Sequence, residues 1–440
     1  MLFTDLTFLY YFLPVTLAVV FLVPKNRRNA VILAASLLFY IWGEPVYWIL
    51  MILLLLFCYG AGLLLEHTEQ RKCGRRMVFA VSVAGMVSVL VFFKTTKTFL
   101  FPIGISFYTF QMISYLADIY LKRERAERNP VRFALYVALF PQLIAGPIVR
   151  YSQIAPQIRD RELSFAKTAY GIRRFCTGLA KKVILSDTLA LLVEKAGTQT
   201  DLLGYFLTAV GFMMQIYYDF SGYSDMAIGL GSMMGFVLPE NFHYPYVATS
   251  VTEFWRRWHM TLGIWFRDYV YIPLGGNRVG KGRWILNLLA VWLLTGFWHG
   301  ASFDFILWGF YFCALLIVEK LFRSTELCGK IPYKAKRIFG FLWTFFLVMA
   351  GFILFRENRV PITELDEIMT SLSLYYLRNN LGILFLSFLF MTPVICMIKK
   401  KYGGTTIYRV AEGVVCLLLF VLSTAFIVDS SFRPFLYFRF

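Results

Sequence analysis

The chain has 440 residues, 59% of them hydrophobic and only 16% charged, with 44 Lys+Arg against 26 Asp+Glu for a formal net charge of +18. A soluble globular domain carries about 25% charged residues, so this balance excludes a soluble fold and with it a soluble nucleic-acid binder. Collagen-like, disordered and disulfide-scaffold chains are excluded as well. What remains is an all-α polytopic membrane protein, expected as a single domain over residues 1–440.

The opening Met1-Leu-Phe-Thr-Asp5 has no basic stretch, so the first apolar segment is expected to be a retained span rather than a signal peptide. Crossing the hydrocarbon core takes about 20 apolar residues. In chain order such segments fall at Phe8–Pro24, Ala30–Trp42, Val46–Leu65, Met77–Phe93 and Pro102–Leu121, followed by a Pro-broken dip at Phe133–Pro147. Further spans are expected at Leu203–Phe220, Trp284–Trp298, Phe305–Phe322, Ile338–Phe355, Leu381–Ile398 and Val410–Val428, with a re-entrant arm at Met226–Leu238. That makes about ten to twelve membrane elements. The amphipathic stretches Thr249–Tyr271 and Pro361–Leu377 would lie along the interface against membrane lipids.

Charge orients these spans. Loops 25–29, 67–76 and 122–132 hold twelve Lys/Arg, whereas the intervening loops hold only Lys94 and Lys97. The positive-inside rule then places the N-terminus outside and the basic loops in the cytoplasm, together with Arg150–Lys182, Arg256–Arg283, Lys320–Arg337 and Lys399–Lys401. The chain is expected in the cell membrane as a multi-pass protein. The seven cysteines are scattered, without a C-x-x-C spacing, and are expected to fill apolar helix positions rather than form disulfides or bind metal.

Chemistry has few places to reside. Asp219 and Asp225, in Tyr217-Tyr-Asp-Phe-Ser-Gly-Tyr-Ser-Asp225, interrupt apolar sequence and need partners or water. Val251, Trp255, Trp258, Leu262 and Trp265 form a helical stripe flanked by His259. Arg256 and Arg267 would share the opposite face, where guanidiniums suit phosphates or carboxylates. The alternative is plain interfacial anchoring, with Glu253 neutralising Arg256 or Arg257.

His67 and His243 sit in polar loops and are expected to be solvated. His299 is different. It follows an apolar helix of fifteen residues from Trp284, roughly 22 Å long, which stops short of a core of about 30 Å. It is therefore expected at a recessed hairpin apex. Gly296, Gly300, Ala301 and Ser302 keep that apex small enough for a ligand or another backbone to approach. Gly275-Gly-Asn-Arg278 is a turn without the ending of a nucleotide loop. The Pro/Gly-containing stretches at Pro102–Phe110 and Phe140–Pro147 are expected to be broken or re-entrant helices.

Two of these motifs carry a resemblance. The stretch Pro239–Arg278, with Glu253-Phe-Trp-Arg-Arg-Trp-His259 and Arg267-Asp-Tyr-Val-Tyr-Ile-Pro-Leu-Gly-Gly-Asn-Arg278, resembles the membrane-bound O-acyltransferase family, in its alginate O-acetyltransferase-like branch. So does Gly296-Phe-Trp-His-Gly-Ala-Ser-Phe-Asp-Phe-Ile-Leu-Trp-Gly309, with support from Ala145-Gly-Pro-Ile-Val-Arg150 and the ending Pro434–Phe440.

The resemblance implies acyl transfer across a membrane, with His299 catalytic and His259 in the active-site tunnel. Arg256, Arg257, Arg267, Trp298, Asp225 and Asn241 are the matching candidates for substrate binding. It implies an acyl thioester donor, acetyl-CoA or an acyl carrier protein, and no bound cofactor or metal. It also implies an exported polysaccharide acceptor and an extracytoplasmic acetyltransferase or SGNH-like partner protein. The segments after Phe355 are shorter than in the longer alginate enzymes, which leaves the acceptor open. The rival inside the family is D-alanyl transfer to teichoic acid from a carrier protein. A transporter or flippase is the rival from another class, against which stands the lack of an inverted repeat.

Overall fold

The computed structural model describes residues 1–96, 100–323, 332–356, 367–429 and 435. Lys97, Cys328, positions 361–366 of the expected interfacial stretch and the terminal motif apart from Phe435 lie outside them. The described residues are helical, with one isolated bridge, Asp201 to Glu367, in place of any sheet. They fall into two compact units, one of Met1–Leu179 with Tyr223–Glu240, the other of Ala180–Gly222 with Asn241–Leu436.

The first unit begins with a π-helical turn, Phe8–Phe12, leading into α1 (Leu13–Leu22). There follow α2 (Arg28–Gly43), α3 (Trp48–His67), α4 (Lys72–Thr95), α5 (Ile105–Tyr120), α6 (Pro130–Ala138), α7 (Phe140–Leu143), α8 (Tyr151–Arg159) and α9 (Phe165–Ala180). α5 packs on α3 and α4, and every residue from Ile105 to Ile119 is buried. The expected span at Pro102–Leu121 is thus a 16-residue helix enclosed by protein. It starts at Gly104, whose φ of +76° is left-handed and whose Cα lies so close to the Leu143 carbonyl that a Cβ would sit 2.6 Å from that oxygen. α6 starts in the way its sequence dictates: Asn129 accepts from the Val131 and Arg132 N–H groups, and Pro130 occupies the first turn.

The second unit holds α10 (Asp187–Ala196), the first two-thirds of α11 (Leu202–Met233), α12 (Val251–Arg257), α13 (Met260–Phe266), α14 (Lys281–His299) and α15 (Phe303–Arg323). It continues with α16 (Tyr333–Phe355), α17 (Ser371–Phe390), α18 (Val394–Tyr402) and α19 (Thr406–Asp429). Among the described residues five helices, α3, α4, α15, α16 and α19, are long and apolar enough to cross a membrane, and the pair α17–α18, bent by 60°, makes a sixth candidate. The chain is a multi-pass membrane protein.

Several expectations are corrected. α11 is one helix of 32 residues, so the separate span at Leu203–Phe220 and the re-entrant arm from Met226 merge, and the polar cluster lies inside the helix. Its acids are accommodated by partners from distant sequence. Lys182 Nζ lies 2.8 Å from Asp219 and 2.7 Å from Asp187, with Lys182 and Asp219 both buried. Arg174 lies 2.7 Å from Asp225 and 2.6 Å from Glu240. Cys58, Cys176 and Cys313 are buried fillers, but Cys73 and Cys396 are exposed.

Candidate active site

The site in the second unit is built on a break in a helix. The stripe from Val251 to Trp265 was expected to run on one helix; instead α12 ends at Arg257, and α13 starts at Met260. Between them His259 adopts φ +42°, a left-handed conformation that is unfavourable for a non-glycine residue. Asn241 holds this turn in place. Its Oδ1 lies 3.0 Å from His259 Nδ1 and accepts from Thr261 Oγ1 at 2.9 Å and the Thr261 N–H at 3.3 Å. Its carbonyl accepts the Met260 N–H at 2.9 Å. The backbone donor at Thr261 fixes which amide atom is oxygen, so His259 carries its proton on Nδ1.

His259 is 3% exposed, and burial pushes its imidazole down to about 3, so the ring is neutral. Its Nε2 makes no hydrogen bond among the described residues. The Phe220 ring meets it edge-on at 4.7 Å, and the Trp298 ring lies 5.9 Å away.

α12 is anchored at its first turn. Ser250 caps the helix by accepting the Glu253 N–H at 3.1 Å, and Glu253 reaches back past the cap to accept the Thr249 N–H at 2.9 Å. From α15, Glu319 accepts the N–H groups of Val251 at 2.7 Å and Thr252 at 3.2 Å.

His299 is the last residue of α14, and Gly300–Ser302 turn the chain into α15. The expected hairpin apex is therefore present, but its recess does not come from a short helix. α14 starts at Lys281 and has 19 residues, about 28 Å of rise. Burial of His299 comes from rings: Trp298 at 4.6 Å, Phe355 at 4.9 Å and Trp308 at 5.1 Å between centroids. The small residues serve backbone packing. A Cβ on Gly296 would run into the Phe305 carbonyl, and one on Gly309 into the Trp292 carbonyl, so α14 and α15 touch backbone to backbone.

Four of the expected site residues therefore come together: Asn241, His259, Trp298 and His299 form one continuous run of contacts. The arginines do not share a helix face, because the break at His259 separates them. Arg256 is exposed on α12. Arg257 is bound by Glu253 at 2.8 Å and donates to the His243 carbonyl at 3.2 Å, so His243 is a partner rather than a merely solvated residue. Arg267 pairs with Asp268 at 2.7 Å. Asp225 falls in the first unit, its carboxylate taken up by Arg174. Sequence reasoning missed Glu319, Phe355 and Lys182. Asp219 signalled that a cation was needed, but nothing local named Lys182. Among the described residues no group of three or more His, Cys, Asp or Glu could hold a metal ion.

The all-helical fold thus holds two buried histidines that meet through the Trp298 ring. Residues 58–360 match the membrane-bound O-acyltransferase family, and the chain belongs to that family. The probable alginate O-acetylase AlgI of Pseudomonas putida is 35% identical in an alignment covering the whole of both chains. The peptidoglycan O-acetyltransferase of Helicobacter pylori is 34% identical over 82% of this chain and 78% of its own. The teichoic acid D-alanyltransferase of Bacillus subtilis is 32% identical over 58% of this chain and 68% of its own. The protein is an O-acyltransferase.

Proposed function

We propose that this enzyme moves an acetyl group from a cytoplasmic thioester donor, acetyl-CoA or a charged carrier protein, to hydroxyls of an exported polysaccharide. The single observation carrying this is the enclosure of His299 by Trp298, Trp308 and Phe355, in contact through Trp298 with neutral His259. The alginate and peptidoglycan relatives support a polysaccharide acceptor and an acetyl group. The weight of Lys and Arg in loops 25–29, 67–76 and 122–132 supports an outside N-terminus. An extracytoplasmic transferase of the SGNH-like class would work alongside the enzyme on the polymer.

In the proposed step, His299 takes the proton of an acceptor hydroxyl as its oxygen attacks the thioester carbonyl. The tetrahedral intermediate collapses, the C–S bond breaks, and the imidazolium returns the proton to the leaving thiolate. The ring wall keeps water from competing for the acyl group. His259, its Nδ1–H fixed by Asn241, presents Nε2 as an acceptor toward the donor side. Arg256, Arg257 and Arg267 would meet donor phosphates, and Trp298 would line the path between the histidines. D-alanyl transfer is the second reading, favoured by the teichoic acid relative over a shorter stretch.

The test is acyl transfer in proteoliposomes. Radiolabelled acetyl-CoA, acetyl carrier protein and D-alanyl carrier protein are enclosed one at a time, with acceptor glycan outside. Label on the glycan from an acetyl donor supports the proposal; label from the D-alanyl donor alone overturns it.

A further inference from the structure

In the first unit, α9 and the end of α11 touch backbone to backbone. A Cβ on Gly171 would lie 2.5 Å from the Gly229 carbonyl oxygen, and one on Gly229 would lie 2.6 Å from that of Gly171. About one turn further on, Ser232 Oγ donates to the Lys167 carbonyl at 2.9 Å. Beyond α11 the segment 236–238 alternates, with Phe236 and Leu238 buried and Val237 exposed. Gln157 of α8 fixes this segment, accepting the Val237 N–H at 2.7 Å and donating to the Val237 carbonyl at 3.2 Å.

Between α9, α11 and this segment lies a groove of about 450 Å³. A water takes about 30 Å³, so the groove has room for about fifteen groups of that size. Its floor is the buried Ile228, Phe236 and Leu238, and its rim includes Lys167, Tyr170 and the exposed Val237.

Two charged side chains border the groove. Glu240 is held by Arg174 at 2.6 Å, the same guanidinium that holds Asp225 at 2.7 Å. Arg174 stands seven residues after Lys167, about 10 Å along α9, so the acidic group is at the far end. Lys167 has no carboxylate partner among the described residues, and its Nζ reaches only the Glu162 carbonyl, at 3.4 Å. A second cation backs the floor: the Arg161 guanidinium lies 4.2 Å from the centroid of the Phe236 ring. Arg161 is buried and donates to the Met234 carbonyl and to Asn29, with no carboxylate partner among the described residues. An apolar floor with uncompensated positive charge at one end complements an amphiphile with an anionic head.

α9 also has the make-up of a helix at headgroup level. It carries one lysine and two arginines and no acidic residue, and Phe165, Tyr170 and Ile172 are exposed on it. Cations interleaved with exposed large apolar side chains suit the boundary between lipid heads and chains. A free phosphate would meet Lys167 but leave the apolar floor uncovered, whereas a phospholipid meets both.

We propose that this groove binds one anionic phospholipid, its phosphate against Lys167 and an acyl chain along Ile228, Phe236 and Val237. The test uses the full chain in phosphatidylcholine nanodiscs carrying a trace of phosphatidylglycerol with a photoreactive acyl chain, followed by mapping of the labelled peptides. Label should fall on Ile228 and on 236–238. Lys167→Glu should lower it about 10-fold. Lys167→Arg should keep most of it, which also shows that the altered protein folds. Ala166→Phe, which narrows the groove without changing charge, should lower it as well. Lys72→Glu, an exposed charge reversal on α4, should leave it unchanged and so separates the groove from general surface attraction. Photoreactive phosphatidylcholine should label the groove about 10-fold less, and excess soluble glycerol phosphate should not compete. Absence of label there, label indifferent to Lys167→Glu or to Ala166→Phe, equal loss with Lys72→Glu, equal labelling by phosphatidylcholine, or full competition by glycerol phosphate each overturns the proposal.

Discussion

His259 donates its Nδ1–H to Oδ1 of Asn241 across 3.0 Å, and the same oxygen takes two donors from Thr261. This one amide both holds a left-handed turn and sets the tautomer of a buried imidazole. Asn241→Leu should leave those donors without an acceptor and cost about 1–3 kcal/mol per buried group left unsatisfied. Thermal unfolding in detergent reads the loss, and acyl transfer should fall with it even with His299 intact. An unchanged midpoint would show that the turn holds itself.

The neutral state of His259 has a pH consequence. Its folded pKa, pushed down to about 3, lies below the ordinary 6.5. Between these values the unfolded chain binds the proton and the fold does not, so stability rises with pH there. The contribution is complete above pH 6.5 and is lost progressively as pH falls toward 3. The unfolding midpoint should therefore drop from pH 7 to pH 4.5, with a shallower slope in His259→Gln. Parallel slopes would contradict it.

The backbone contact between α14 and α15 is testable by adding single methyl groups. Gly296→Ala and Gly309→Ala each drive a Cβ into a carbonyl of the facing helix. Overpacking of this kind costs about 1–3 kcal/mol. Gly282, on the same helix α14, has nothing within 4 Å of its would-be Cβ. Gly282→Ala should be neutral or stabilising by up to about 1 kcal/mol. Equal behaviour of all three in thermal unfolding would refute close helix packing.

The buried Lys182 faces Asp219 and Asp187. Removing one member of a buried ion group costs about 3–5 kcal/mol, because the remaining charge is left uncompensated. Lys182→Met should therefore deplete folded protein, and the double variant Lys182→Met with Asp219→Asn should recover part of it. A double variant no better than the single would show that Lys182 acts through packing.

The membrane class and the His299 hairpin were legible because both are local: apolar runs, and a His flanked by small residues. The fracture at His259 was not. The stripe from Val251 to Trp265 keeps helical spacing, and the positive φ is imposed by Asn241 from outside the stripe. The partners of Asp219 and Asp225 escaped for a related reason. Lys182 and Arg174 stand in a basic stretch that charge counting could only place on the cytoplasmic side, and packing turns them toward α11. The helix length at His299 was underestimated because Lys281-Gly-Arg283 is polar yet helical.

The three arginines proposed to meet the donor differ in whether they have an ion-pair partner among the described residues. Arg257 and Arg267 are already paired with Glu253 and Asp268, whereas Arg256 is exposed. Arg256→Glu should raise the KM for acetyl-CoA with little change in kcat. Unaltered donor KM would remove Arg256 from the donor site.

The most direct measurement is transfer of radiolabelled acetyl from enclosed acetyl-CoA to external glycan in proteoliposomes carrying wild-type protein or His299→Ala. A general base contributes about 10²–10⁴-fold, so the variant should lose transfer by that factor while folding normally. Transfer by folded His299→Ala at the wild-type rate would contradict the assignment of His299 as the base.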